Sequence, residues 1–237
     1  MTELDTRVIE TIQRTDTAKS FRFDRTGAPD FRPGQYFLLT IPVGGEEKTK
    51  AFSFSSSPTE QGYLEFTKRL TGSDFSNALM ELKPGDPVKI KMPNGKFTFE
   101  GEHKKIALLS GGIGITPFRS ICKYATDKEL ESDIALFYSN NEEKDIVFRE
   151  DLDGMAAQNP HLKLIYTLTS PYAAEKEWRG CTGVIDEGMI KREVPDYAER
   201  IFYTCGPPGM VTCLTGMLRE KLHIPEEHTI IENFAGY

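Results

Sequence analysis

At 237 residues the chain is long enough for one large domain or two modest ones, and 29 basic against 36 acidic residues leave a net charge of −7. That sign argues against a nucleic-acid backbone as the main partner, because phosphate binding wants the opposite charge. With 38% hydrophobic and 27% charged residues, no apolar run nears the roughly 18 residues of a membrane span, and the start Met1–Arg7 has neither the basic cluster nor the apolar stretch of a secretory leader, so a cytoplasmic location is expected.

In chain order, residues 1–99 alternate polar and apolar with period two. Strands are predicted at Arg7–Ile12, Ser20–Phe23, Gln35–Thr40, Lys50–Ser55, Tyr63–Lys68 and Val88–Met92. They are joined by Pro- and Gly-rich turns, with one helix at about Asp74–Leu82, which reads as an antiparallel β-barrel or sandwich. The charged stretch 100–104 is the expected linker. From residue 105 to 237 the pattern changes. Apolar strands at Ile106–Leu109, Ile134–Tyr138, Leu162–Leu168 and Arg200–Thr204 alternate with helical stretches at Pro117–Ala125, Phe148–Gln158 and Pro208–Leu222, which predicts an α/β domain with a parallel sheet covered on both faces.

The most specific local signal is LLSGGIGITPFRSI at 108–121. A buried strand ends at Ser110, and Gly111, Gly112 and Gly114 follow. Thr116 and Pro117 then stand where an N-cap and a first helical residue belong. Glycines admit close approach of a phosphate, and the free amides of a new helix point partial positive charge at it. This is a nucleotide-phosphate cradle, although it is not the G-x-G-x-x-G fingerprint. A second loop, TCGPPGM at 204–210, repeats the design with Cys205 and Gly206 after a strand and a proline pair opening a helix. Ligands of open α/β sheets bind outside the carboxyl ends of the strands, so both loops are expected to face one crevice.

In the first half, KAFSFSSSP at 50–58 places Lys50, Phe52 and Phe54 on one strand face and Ala51, Ser53 and Ser55 on the other. Such hydroxyls and aromatics suit a planar heterocycle, and equally an amphipathic barrel strand ending in a Ser-rich turn. TGSDFSNALMEL at 71–82 offers a glycine, hydroxyls and a helix start, either an anion site or an ordinary helix capped by Ser73 or Asp74. Cys122, Cys181, Cys205 and Cys213 lack metal-binding spacing and read as reduced thiols, three of them core filler. The scattered histidines lack a metal-ligand pattern, so no metal is expected. Ser53 has no nucleophile elbow around it.

Taken in order, these motifs resemble the ferredoxin-NADP reductase superfamily, a flavin-binding barrel followed by a pyridine-nucleotide domain. The likeness covers nearly the whole chain: FRPGQY at 31–36, KAFSFSS at 50–56, GSDFSN at 72–77, GGIGITP at 111–117, CGPPGM at 205–210 and ENFAGY at 232–237. It implies FAD and NADH or NADPH as cofactors. Lys50 takes the place of an arginine that pairs with the flavin pyrophosphate, keeping the charge and losing the fork. Phe52, with Ala51 beside it, takes a tyrosine position that packs on the ring. Ser53 would hydrogen-bond the flavin N5. The backbone at Phe66, Thr67 and Lys68 would read the pyrimidine edge, and Gly72, Ser76 and the amide of Asn77 would meet the pyrophosphate.

Gly111, Gly112, Gly114 and Thr116 would hold the dinucleotide phosphates, Cys205 and Gly206 would border the nicotinamide, and Glu232 would assist protonation or orient the carboxamide. Tyr237 would cover the flavin until nicotinamide displaces it. The loop YSNNEEKD at 138–145 is acidic and favours NADH over NADPH. The resemblance implies a reductase that takes hydride from NAD(P)H and passes electrons to a separate acceptor such as a ferredoxin or other iron–sulfur protein, since the plant-type cluster motif is absent from the sequence. A flavin-binding subunit without turnover, or a flavin reductase with a small acceptor, are the alternatives.

Overall fold

The computed structural model describes residues 1–170 and 178–234. They form two compact units: residues 1–100 with 116–124, and residues 101–115 with 125 onward.

The first unit is a six-stranded antiparallel sheet, β1 (Thr2–Thr15), β2 (Ala18–Asp24), β3 (Tyr36–Val43), β4 (Glu46–Ser53), β5 (Tyr63–Arg69) and β6 (Pro87–Asn94), in the order β4-β3-β6-β1-β2-β5. β1 is longer than predicted because it serves two neighbours. Its first half pairs with β6 and its second with β2, and a register shift between Val8 and Glu10 bends the strand at the changeover. The alternation predicted from sequence is real: Phe21 and Phe23 join Phe37, Phe52, Phe54 and Phe66 in the core, with the Phe21 and Phe66 rings stacked 5.1 Å apart. Each such ring contributes roughly 1.5–3 kcal/mol on burial. Helix α1 (Asp74–Glu81) is capped by Ser73, whose side chain accepts from the Ser76 amide, and it packs Phe75 and Leu79 into the same core.

The second unit is a parallel sheet of β7 (Lys105–Gly111), β8 (Asp133–Asn140), β9 (Leu162–Leu168), β10 (Cys181–Thr182), β11 (Ile201–Gly206) and β12 (Thr229–Asn233), ordered β10-β9-β8-β7-β11-β12. Helix α2 (Ile115–Asp127) follows β7, but most of it, residues 116–124, belongs to the first unit; the helices of the second unit are α3 (Arg149–Gln158), α4 (Glu187–Glu193) and α5 (Pro208–Glu220). β8 and β9 build outward from one side of β7, β11 and β12 from the other, so the strand order reverses between β7 and β11, the place where such sheets bind ligands. The short β10, the edge strand β12 and α4 were not predicted; each is too short or too polar to carry a clear period.

Residues 116–124 cluster with the first unit, where Phe118 meets Phe97 at 5.6 Å and Ser120 Oγ donates to the Ser56 carbonyl at 2.7 Å. One expectation is corrected. Two cysteines, not three, are core filler: Cys122 and Cys205 are buried, Cys181 is half-buried and Cys213 is exposed. Cys213 lies on α5, whose buried residues are Val211, Leu214 and Leu218, so it falls on the outward side of the helix.

Candidate functional site

In the first unit, the serine run after β4 sorts its own members. Ser55 Oγ donates to Glu65 Oε1 at 2.9 Å, Ser56 Oγ accepts from the Glu65 amide at 2.8 Å, and Ser57 Oγ lies 2.7 Å from Thr59 Oγ1. Ser53 differs: it keeps 7% exposure, and its hydroxyl has no hydrogen-bond partner among the described residues. A nearly buried hydroxyl left open is a group a ligand can complete. Phe52 is 3% exposed and sits against Phe66 at 4.6 Å and Phe75 at 5.9 Å, so most of its ring belongs to the core, while Lys50 and Ala51 are exposed.

The same unit brings two lysines close together. Lys68 is buried, and burial first and the neighbouring Lys50 second pull its ammonium down to about 8. The Lys50 ammonium lies 5.5 Å from the Phe75 ring on the first turn of α1. Two lysines that repel one another beside a helix start suit an anion of more than one charge, such as a pyrophosphate. Gly72 is exposed with open space where a Cβ would stand, and Ser76 is buried, its hydroxyl 3.0 Å from that of Thr71. The Asn77 amide donates to the Ser73 carbonyl at 2.9 Å, inside the helix. Thr67 turns its hydroxyl toward Ser20 and Ser55, leaving only backbone for a ligand, and Phe66 is fully buried.

In the second unit the glycines answer a geometric demand. A Cβ on Gly114 would stand 2.5 Å from the Cys205 carbonyl oxygen and 2.7 Å from Gly206 Cα, so the two loops approach as closely as backbone allows. Gly112, at φ +51, opens a 3-10 turn over Gly112–Gly114 that leads into α2 at Ile115. The expected cap is therefore corrected: Gly111 caps the turn without a side chain, and Thr116 and Pro117 lie inside the first turn of α2, because three glycines let the chain coil before the proline. Pro207 caps α5 and Pro208 opens it, as read from the sequence.

Register brings Ser110, Cys205 and Glu232 side by side across β7, β11 and β12. Burial, with Glu232 adding to it, pushes the Cys205 thiol well above its usual range, so it stays protonated. Burial also raises the Glu232 carboxyl. Among the described residues, the buried side-chain polar atoms that lack a partner belong to Ser110, Asn140, Thr204 and His228. Three of the four close the strands β7, β8 and β11 beside Gly111 and Gly206. Orphaned polar atoms are rare in folded proteins, and their gathering at these strand ends fits a polar ligand such as a dinucleotide. Sequence reasoning gave Ser110 and Thr204 no role and read Asn140 only as part of the loop that disfavours an extra phosphate, although each is a polar residue late in an otherwise apolar strand. Tyr237 lies outside the described residues.

Comparison with known proteins follows the same division. Residues 5–99 match the oxidoreductase FAD-binding domain and residues 108–215 the oxidoreductase NAD-binding domain. The chain is 29% identical over 220 residues to a glycine betaine monooxygenase reductase subunit of Chromohalobacter salexigens, covering 91% of this chain and 60% of that protein. It is 32% identical over 192 residues to NADH-cytochrome b5 reductase 1 of Dictyostelium discoideum, covering 78% and 65%. In structure it resembles a ferredoxin NADP+ reductase from Neisseria gonorrhoeae with bound FAD and NADP, at TM-score 0.80, 19% identity and 98% coverage of both chains. The chain spans about three fifths of the length of the first curated relatives it matches.

Proposed function

Because the chain belongs to the FAD- and NAD-binding oxidoreductases of the ferredoxin-NADP reductase superfamily, we propose that it is an NAD(P)H-dependent flavoprotein reductase that passes electrons to a separate redox partner. Bound FAD supplies the hydride acceptor and the outlet for single electrons. The protein's part is binding, alignment and exclusion of water.

Ser53 donates its open hydroxyl to the flavin N5. Lys50, Lys68 and the start of α1 hold the pyrophosphate, and the backbone of 66–68 meets the pyrimidine edge. In the second unit the Gly112–Gly114 turn binds the phosphates of the nicotinamide dinucleotide. Cys205, protonated at neutral pH, and Glu232 border the nicotinamide, with Gly206 giving it room. Preference for NADH is supported by the loop after β8: Lys144, its cation, is paired with Glu142 at 2.7 Å, and Glu143 stands beside it. A 2′-phosphate would meet carboxylates there. The acceptor we favour is an iron–sulfur protein in the cytoplasm; delivery of electrons to a separate protein is supported by a relative named as a monooxygenase reductase subunit.

The observation that carries this reading is Ser53, the open hydroxyl in a run whose other serines are held. Its test is optical. The purified chain reconstituted with FAD turns yellow, and anaerobic NADH bleaches it, faster than NADPH does. A yellow protein that stays oxidised under both nucleotides would instead be a binding subunit without turnover. Bleaching that reoxidises with free flavin and not with iron–sulfur proteins would make it a flavin reductase.

A further inference from the structure

The first unit contains a closed ring of polar side chains, all buried except the half-buried Arg14, that the functional reading leaves unassigned. Its members are Arg14 on β1, Ser20 on β2, Glu65 and Thr67 on β5, and Ser55 after β4. Ser20 stands opposite Thr67 in the β2–β5 register, and Arg22 opposite Glu65. These pairs lie on the face of β5 opposite to Phe66 and Lys68. Arg14 Nε donates to Ser20 Oγ at 2.8 Å, and Ser20 Oγ lies 2.7 Å from Thr67 Oγ1. Thr67 Oγ1 lies 3.0 Å from Ser55 Oγ, which donates to Glu65 Oε1 at 2.9 Å. Arg14 Nη2 closes the ring on Glu65 Oε2 at 3.0 Å, where Arg22 Nε also arrives at 2.8 Å.

The chemistry of the ends fixes the direction of every bond. A carboxylate only accepts, so the single Ser55 proton goes to Glu65; Thr67 must then donate to Ser55, and Ser20 to Thr67. At the other end guanidinium only donates, which agrees. The ring therefore has one proton arrangement and no spare hydroxyl donor. Three further links run alongside it: the Ser55 and Ser56 amides both donate to the Glu65 carbonyl, at 2.8 and 3.3 Å, and the Glu65 amide donates to Ser56 Oγ.

We propose that Arg14, Ser20, Ser55 and Glu65 are positioning residues for flavin binding: the ring locks the β5 backbone at 66–68 to the segment that carries Ser53, so that the two meet the flavin as one rigid surface. Buried, fully satisfied networks specify one geometry, and breaking one link leaves its neighbours unsatisfied. The inference rests on the FAD reading above. It also explains why Thr67 offers its backbone alone.

The test uses the full chain stripped of flavin and titrated with FAD, read by flavin fluorescence and the visible spectrum. Thr67→Val removes the central hydroxyl at constant shape and keeps all charges. It is expected to weaken FAD binding at least about tenfold, equivalent to about 1.4 kcal/mol, and to shift the bound flavin bands. Thr67→Ser, which restores the hydroxyl, is expected to bind like the wild type. If Thr67→Val does not fold, Ser20→Ala cuts the ring one link away and is read the same way. A folded Thr67→Val or Ser20→Ala that binds FAD within threefold of wild type, with an unchanged spectrum, overturns the proposal while the FAD reading stands. A wild-type chain that binds no FAD overturns both.

Discussion

Arg119 holds Glu60 with both prongs of its guanidinium, Nη1 to Oε2 at 2.9 Å and Nη2 to Oε1 at 3.2 Å, and the same Nη1 donates to the Ser55 carbonyl at 2.7 Å. Both side chains are largely buried. The pair fastens the 116–124 segment to the serine turn that follows Ser53. Arg119→Ala leaves a buried carboxylate alone and is expected to cost about 3–5 kcal/mol in urea unfolding. Arg119→Lys keeps the charge but not the fork and should fall between. Burial alone would raise the Glu60 carboxyl, but the Arg119 hydrogen bonds and charge outweigh it and hold it below the usual range. Its stabilisation is therefore complete above the unfolded carboxyl's titration and is lost as pH falls through the lower folded value. The wild-type advantage over Arg119→Ala should shrink between pH 6 and pH 3; an advantage independent of pH would contradict the pairing.

The Ser53 hydroxyl has no hydrogen-bond partner among the described residues, so Ser53→Ala should leave stability within about 0.5 kcal/mol of wild type. With FAD bound, flavin reduction by NADH in a stopped-flow trace should slow by roughly 10²-fold, the size of one well-placed proton donor. A variant that reduces at the wild-type rate would remove Ser53 from the reaction.

Much of the fold was written in periodicity. The two-residue alternation of Phe21, Phe23 and Phe37 named the first sheet, and the unbroken apolar runs at 106–109 and 134–138 named the second, because a strand buried on both faces has no polar side to show. The site was legible where backbone geometry forces residue type, as at Gly114, whose Cβ would collide with Cys205. It was illegible where long-range partners decide. Nothing local distinguishes Ser53 from Ser55; the difference is Glu65, ten positions on. The membership of 116–124 in the first unit likewise depends on Arg119 meeting a glutamate 59 positions earlier.

Lys68 predicts a pH dependence of flavin binding. In the free protein its ammonium loses its proton near pH 8, because burial and Lys50 both disfavour the charge. A pyrophosphate beside it would favour the charged form, so binding takes up a proton at higher pH. FAD affinity should be level below pH 7 and weaken above pH 8, approaching tenfold per pH unit, in fluorescence titrations. Lys68→Gln should bind more weakly throughout and lose that slope. A wild-type affinity flat to pH 9.5 would place the pyrophosphate away from Lys68.

The orphaned hydroxyl of Thr204 separates the free protein from the nucleotide-bound one. Its Oγ1 is buried in the second half of β11 without a partner among the described residues, and an unmade hydrogen bond there costs about 1–3 kcal/mol. Thr204→Val removes the polar atom at nearly constant shape, so the free protein should become more stable by about 1 kcal/mol, a rise of a few degrees in Tm. If the dinucleotide supplies the missing partner, the same change removes part of what binding gains. Saturating NADH should then raise Tm less in the variant than in wild type, while the FAD-induced rise stays the same. Equal NADH-induced rises in the two proteins would mean that the hydroxyl is completed by water or not at all, and the strand ends would lose their claim to the nucleotide.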